Sequence, residues 1–251
     1  MAWVETASAS FRARHDAQDA DDAYRVLGRL ERTRERLAEL FPRAVGEVTV
    51  VLHSSGLSLA MANPLLAITW LGTAPAARRY VAGWVSRSEL HVLTPAALAA
   101  RASNVPGSRT MLERSSDALY ARLLIASNNH DLPTALTPQR ARLELRWAWL
   151  LEGAARWFGG QTEHSRPAIA RRLHEGSRPS FPPGIRDAAL LGGTVIDLLA
   201  REEGARAAAQ FACRLHPHGA RPALSKAFRG RPFVHTEGAW RSHLARMAAA
   251  Q

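Results

Sequence analysis

The chain has almost no cysteine and no long apolar run, and both absences limit what it can be. Cys213 is the only cysteine among 251 residues, so an intrachain disulfide and a metal site built from several thiolates are excluded. No apolar run reaches the roughly 20 residues that a membrane-spanning helix needs. The first residues also lack the basic and apolar segments of a secretory signal. We therefore expect a cytoplasmic protein with no membrane among its partners.

The sequence also lacks two histidines at helical spacing. Two imidazoles bind one metal from a single helix only when they lie three or four residues apart. None of the ten histidines has a second one at that distance. The closest pair, His216 and His218, flanks a proline, and the one His-Glu dipeptide, His174-Glu175, runs into Gly176, which favours a helix end. A zinc site of the usual helical kind is therefore excluded.

Basic residues outnumber acidic residues, so we consider whether the protein binds nucleic acid. The formal net charge is +11, and Lys226 is the only lysine among 33 basic residues. So strong an excess of arginine, beside abundant alanine, indicates a GC-rich coding bias more than a selected phosphate-binding surface. The arginines form no dense run with interleaved aromatic residues. Charge alone predicts non-specific polyanion binding at low salt, without specific recognition.

The most informative segment is Trp-Ala-Trp-Leu-Leu-Glu-Gly-Ala-Ala-Arg-Trp-Phe at residues 147–158. It resembles the Trp-Leu-x-Glu-Gly-x-Ala-x-Tyr-Phe segment of gluzincin-type zinc metallopeptidases, especially the peptidase MA-like proteins. In that family the Glu is the third zinc ligand, and the first two ligands come from an upstream His-Glu-x-x-His helix. The resemblance implies that Glu152 stands at the third ligand position.

The upstream helix is predicted over residues 111–126, with Ser108 or Thr110 as its cap. Aligning residues 116–120 with His-Glu-x-x-His places Ser116 and Tyr120 at the two other ligand positions and Asp117 at the general-base position. All three differ from the family residue. A neutral hydroxyl or phenol is a poor zinc ligand, and an aspartate reaches a zinc-bound water badly. The resemblance thus implies a degenerate HExxH motif, vestigial site positions and no cofactor.

Each of these residues also has a purely structural interpretation. Tyr120 fits a core aromatic, Ser116 a small residue at a helix contact, and Asp117 an acid that is solvated or paired with arginine. Glu152 has apolar helical neighbours, so its carboxylate needs a partner or a chemical role. Arg156, four residues later, is the simplest partner.

Periodicity predicts an α+β protein. Strands are predicted at residues 9–15, 48–53, 80–85 and 89–93, a further strand is considered at 65–70, and helices are predicted at 20–41, 185–201, 204–215, 220–228 and 236–247. Gly192-Gly193 permits a close helix crossing or a kink. The order resembles a thermolysin-like gluzincin core. That core implies a small N-terminal mixed sheet with a long helix at residues 1–105, and a mainly helical lobe at 106–251, within one continuous domain.

Three functions remain open. The first is a catalytically inactive pseudoenzyme, a metallopeptidase-like binding or scaffolding module whose former substrate cleft holds a peptide or protein. The second is an active metallohydrolase or peptidase that binds zinc through non-standard ligands, namely Asp117, Glu152 and either His130 or His164. The third is a basic cytoplasmic protein that associates with nucleic acid or an acidic partner. The missing histidine pair favours the first.

Overall fold

One five-stranded sheet forms the N-terminal part of the molecule. The computed structural model describes residues 3–135, 137–175 and 178–249. The strands are β1 (Trp3–Ala7), β2 (Phe11–Asp16), β3 (Val48–His53), β4 (Gly83–Ser86) and β5 (Glu89–Leu93), in the order β1-β2-β3-β5-β4. The three central strands are parallel, and both edge strands are antiparallel to their neighbours. The prediction of a small mixed sheet is confirmed.

The two faces of the sheet differ in polarity. Side chains alternate across a strand, so Phe11 and Ala13 of β2 are buried under the helices while Arg12 and Arg14 point outward. On the outer face both arginines pair with Glu5 of β1. The helices therefore cover one face, and the exposed arginines of β2 lie on the other.

Helices make up most of the remaining chain. They are α1 (Ala20–Ala38), α2 (Gly56–Ala62), α3 (Leu65–Gly72), α4 (Pro75–Arg78), α5 (Pro95–Arg101), α6 (Ser108–Glu113), α7 (Ser115–Asn128), α8 (Pro138–Arg146), α9 (Ala148–Phe158), α10 (Arg166–His174), α11 (Ile185–Glu203), α12 (Ala205–Ala212), α13 (Ala220–Ala227) and α14 (Phe233–Ala249). Within the described ranges, none is both long and apolar enough to cross a membrane. The architecture is mixed α/β, with α1 to α4 between strands of the sheet and α5 to α14 after them.

Three local predictions are wrong. Leu65–Gly72 is a helix, not a strand, because a short apolar run has no periodicity that separates the two and Pro64 suits a helix start. The single helix predicted at 111–126 is split at Arg114 into α6 and α7. Its cap is Gly107, whose φ of 76° favours glycine and where a Cβ would lie 2.4 Å from the His164 carbonyl oxygen.

Helix α9, which carries Glu152, crosses α11 with the two backbones in contact. A Cβ on Gly192 would lie 2.3 Å from the Trp149 carbonyl oxygen, and one on Gly153 would lie 2.3 Å from the Gly192 carbonyl carbon. Only glycine leaves room for such an approach. The close crossing predicted from Gly192-Gly193 is confirmed, and it fixes the position of α9.

Buried polar groups also hold this region in place. Asp197 of α11 accepts hydrogen bonds from the Trp157 indole of α9 and from Arg201, and its carboxylate lies 2.9 Å from His243 of α14. Burial opposes ionisation here, but these partners prevail and lower the pKa of Asp197 to about 2. The carboxylate thus joins three helices.

Candidate functional site

Helix α7 carries the three predicted site residues that precede Glu152. It packs against both α1 and α9. Ser116, Asp117 and Tyr120 are all buried. Because a helix presents different positions to different neighbours, the contacts of each side chain decide whether the three face Glu152.

Asp117 is enclosed and paired with arginine. Its Oδ1 accepts a hydrogen bond from Arg29 Nε of α1 at 3.2 Å, and its Oδ2 accepts one from Arg114 Nη1 at 3.4 Å. Arg29 Nη2 also donates to the Ser116 hydroxyl at 2.9 Å. Burial raises the pKa of Asp117, and the two guanidinium groups oppose that rise. Asp117 and Ser116 therefore bind α1.

Tyr120 belongs to the core. Its ring meets the Phe11 ring of β2 edge-on, with 5.3 Å between the centroids. Burial raises the pKa of Tyr120, and the nearby Arg34 of α1 opposes that rise. The phenol thus lies between the sheet and α1.

Glu152 is paired with a residue that the sequence did not single out. Its Oε1 accepts a hydrogen bond from Arg122 Nε of α7 at 3.2 Å. Arg122 also lies 3.5 Å from Glu144 of α8, which in turn pairs with Arg140. The side chain of Glu152 is 44% exposed and that of Arg122 is 13% exposed. Glu152 is thus part of an ion-pair network at the surface.

The predicted pair between Glu152 and Arg156 is wrong. Arg156 is buried, where its Nη1 donates to Gln161 Oε1 at 2.9 Å and its Nη2 donates to the Tyr80 carbonyl oxygen at 3.1 Å. Burial lowers the pKa of Arg156. Its guanidinium instead ties the C-terminal end of α9 to the chain before β4.

The predicted site residues of α7 and the residue that binds Glu152 lie on different sides of that helix. Arg122 and Ala118 lie one turn apart on the side that faces α9, since Arg122 binds Glu152 and Ala118 abuts Gly159. Tyr120 lies two residues before Arg122, about 200° around the helix. The residues aligned with the family's two ligand positions are therefore directed toward α1 and β2, and Glu152 is not brought together with them.

The zinc implied by the family resemblance does not fit these residues. A zinc site needs several imidazole, thiolate or carboxylate groups whose donor atoms converge on one metal ion. In the part of the chain that the structure describes, no three His, Cys, Asp or Glu side chains are so arranged. The alternative set of Asp117, Glu152 and either His130 or His164 is accordingly not a metal-binding group.

A histidine pair on the outer sheet face was missed by the sequence reasoning. His53 Nε2 lies 3.1 Å from His91 Nδ1, and His91 Nε2 lies 3.3 Å from Glu89 Oε2. The Trp84 ring stacks on His91 with 3.8 Å between centroids. A shallow depression of about 540 Å³ lies beside them, lined by Trp3, Glu5, Arg14, Val51, Glu89 and His91. Both histidines lie in predicted strands, but the sequence alone does not show that these two strands are neighbours in the sheet.

This pair predicts a dependence of stability on pH. Burial, with a contribution from His91, lowers the pKa of His53 to about 4. As the pH falls below about 6.5, the His53 imidazole takes up a proton in the unfolded chain but not in the folded chain. The contribution of His53 to the free energy of unfolding is therefore complete above about pH 6.5 and is lost as the pH falls toward about 4. The loss should approach about 3 kcal/mol in urea unfolding at acid pH. His53→Gln should flatten this slope, whereas the exposed His235→Gln should leave it unchanged, and equal slopes in both would contradict the assignment.

Strand β4 leaves hydrogen-bonding groups open at one edge of the sheet. The Leu93 N–H donates to the carbonyl oxygen of Ala82, which lies opposite it. Hydrogen-bonded and non-bonded pairs alternate in an antiparallel ladder, so Gly83 and Val85 point their N–H and C=O groups away from β5. No strand of the described residues pairs with that edge.

Comparison with protein-family models, curated proteins and solved structures gives no match. The resemblance to gluzincin-type proteins thus rests on the sequence segments themselves.

Proposed function

We propose that the chain is a catalytically inactive, gluzincin-like protein that acts as a binding module. The observation that carries this proposal is that arginines engage both carboxylates of the former site, with Arg29 and Arg114 at Asp117 and Arg122 at Glu152. A carboxylate held by a guanidinium group is a weak metal ligand and a weak base, because its lone pairs and charge are already used.

Its ligand, in this proposal, is an extended peptide that adds to the edge of β4. Gly83 and Val85 offer the outward N–H and C=O groups that a further strand requires. Main-chain hydrogen bonds of this kind supply affinity without any catalytic group.

Zinc content tests the loss of catalysis. We expect protein purified without chelator to contain far less than one zinc per chain and to cleave no peptide when zinc is added, because Glu152 alone is not a site. Elemental analysis and a peptidase assay measure both. Stoichiometric zinc that disappears in Glu152→Ala, and persists in the control Glu163→Ala, would overturn the proposal.

Two proline substitutions test the peptide edge. Peptides selected from a random display library against the full chain serve as probes, with Kd measured by fluorescence anisotropy. Val85→Pro removes an outward N–H without touching the ladder to β5 and should weaken binding about tenfold or more. Ala7→Pro, which removes an outward N–H from the opposite edge strand, should leave Kd unchanged. Equal affinity in both variants, or no selected peptide, would refute binding at β4.

A further inference from the structure

Helices α2 and α3 form a hairpin with an unusually apolar exposed surface. Five large hydrophobic side chains within fifteen residues are between 65% and 77% exposed: Leu57, Met61, Leu65, Ile68 and Leu71. Isolated exposed apolar residues are common, but a contiguous group of this size marks an interaction surface. This apolar hairpin, residues 56–72, plays no part in the ion pairs around Glu152.

The hairpin is attached firmly to the body of the protein. Leu59 and Leu66 are buried in the core, one from each helix. The Trp70 indole donates to the Val81 carbonyl oxygen at 2.9 Å, and the Arg101 guanidinium lies 5.0 Å over the Trp70 ring. The hairpin thus has an inner side that packs and an outer side that is left apolar.

The first charged residues after the hairpin along the chain are basic. Residues 54–77 contain no charged side chain, and Glu89 is the only acidic residue between Glu47 and Glu113. Arg78 and Arg79 follow directly, and the Arg186 carbonyl oxygen accepts a hydrogen bond from the Ala74 N–H, which places Arg186 beside the end of α3. None of these three arginines takes part in an ion pair among the described residues. The apolar surface therefore adjoins cations without carboxylate partners.

We propose that the apolar hairpin docks on an anionic phospholipid surface. Leu, Met and Ile side chains would enter the outer acyl region while the neighbouring arginines meet lipid phosphates and anionic headgroups. Helices of seven and eight residues span only about 12 Å, which suits insertion into one leaflet. We expected no membrane partner because the sequence has no run long enough to span a bilayer. Shallow insertion into one leaflet does not need such a run.

Vesicle sedimentation tests the docking. The full chain should bind phosphatidylcholine vesicles that contain phosphatidylserine, and bind pure phosphatidylcholine more weakly. Leu65→Asn with Ile68→Asn should lower the partition coefficient about 100-fold, since each apolar side chain accounts for about a factor of ten. Arg78→Ala should lower binding to the anionic vesicles about fivefold.

Matched substitutions elsewhere separate docking from general charge attraction. Leu145→Asn with Val234→Asn removes apolar side chains that are 60% and 72% exposed on α8 and α14, and it should leave partitioning unchanged. Arg206→Ala, at an exposed position on α12, should have less effect than Arg78→Ala. No vesicle binding, or equal losses in the test and control variants, would overturn the proposal. If the chain binds no vesicles but self-associates, and the hairpin substitutions abolish that self-association, the surface binds a second copy of the chain instead.

Discussion

Gly192→Val should lower the free energy of unfolding by about 3–5 kcal/mol, because a side chain at this position has no space. Its Cβ would lie 2.3 Å from the Trp149 carbonyl oxygen and 3.0 Å from the Gly153 Cα, and both contacts are backbone atoms that cannot rotate away. Helices α9 and α11 must separate to admit it. Urea unfolding followed by circular dichroism measures the loss.

Gly238→Val is the matched control. Gly238 also lies inside a helix, α14, but a Cβ there meets nothing within 4 Å. Since valine has a better helix propensity than glycine, this variant should be neutral or more stable by a few tenths of a kcal/mol. If Gly192→Val costs no more than Gly238→Val, the close backbone contact between α9 and α11 is not present in solution.

Asp187→Ala should destabilise the fold by about 3–5 kcal/mol, because it removes the carboxylate that balances a buried guanidinium. Arg172 Nε and Nη2 donate to the two Asp187 oxygens at 2.6 and 2.8 Å, and the two side chains are only 8% and 9% exposed. Arg172 also donates to the Glu175 carbonyl oxygen at 3.0 Å, and this substitution leaves that bond in place. Thermal unfolding and urea titration both report this change.

The adjacent exposed pair supplies the comparison. Arg171 and Glu175 lie at the same helix end, yet their side chains are 53% and 37% exposed. Glu175→Ala should cost much less than Asp187→Ala, because water screens the charges of the exposed pair. Equal costs for Asp187→Ala and Glu175→Ala would show that burial of the Arg172 pair contributes nothing to stability.

The proposed binding edge and the apolar hairpin belong to the same stretch of chain. Residues 54–88 contain the hairpin, three arginines and β4, without any acidic residue. Trp70 of the hairpin is hydrogen bonded to Val81, two residues before β4. The two proposals are nevertheless independent, since Val85→Pro tests only the peptide edge and Leu65→Asn with Ile68→Asn tests only the hairpin.

Where local physics dominates, the sequence predicted structure well. The β-branched run Val48–His53 is the predicted strand. The long first helix begins at Ala20 as predicted and ends at Ala38, three residues early, because Pro42 disfavours helical backbone at Phe41. The segment Leu65–Gly72 was mispredicted because a short apolar run fits a strand or a helix equally well, and its tertiary contacts decide between them.

By itself, then, the sequence determined the mixed α/β class, the absence of a helical histidine pair, the positive charge and the helix that carries Glu152. Each of these depends on composition or on spacing within one segment. Only the tertiary structure decided the side-chain partners: Arg29 for Asp117, Arg122 for Glu152 and His91 for His53. These pairs join residues 30 to 88 positions apart. Arginine is so abundant in this chain that spacing alone cannot select one partner, and side-chain direction around α7 makes the choice.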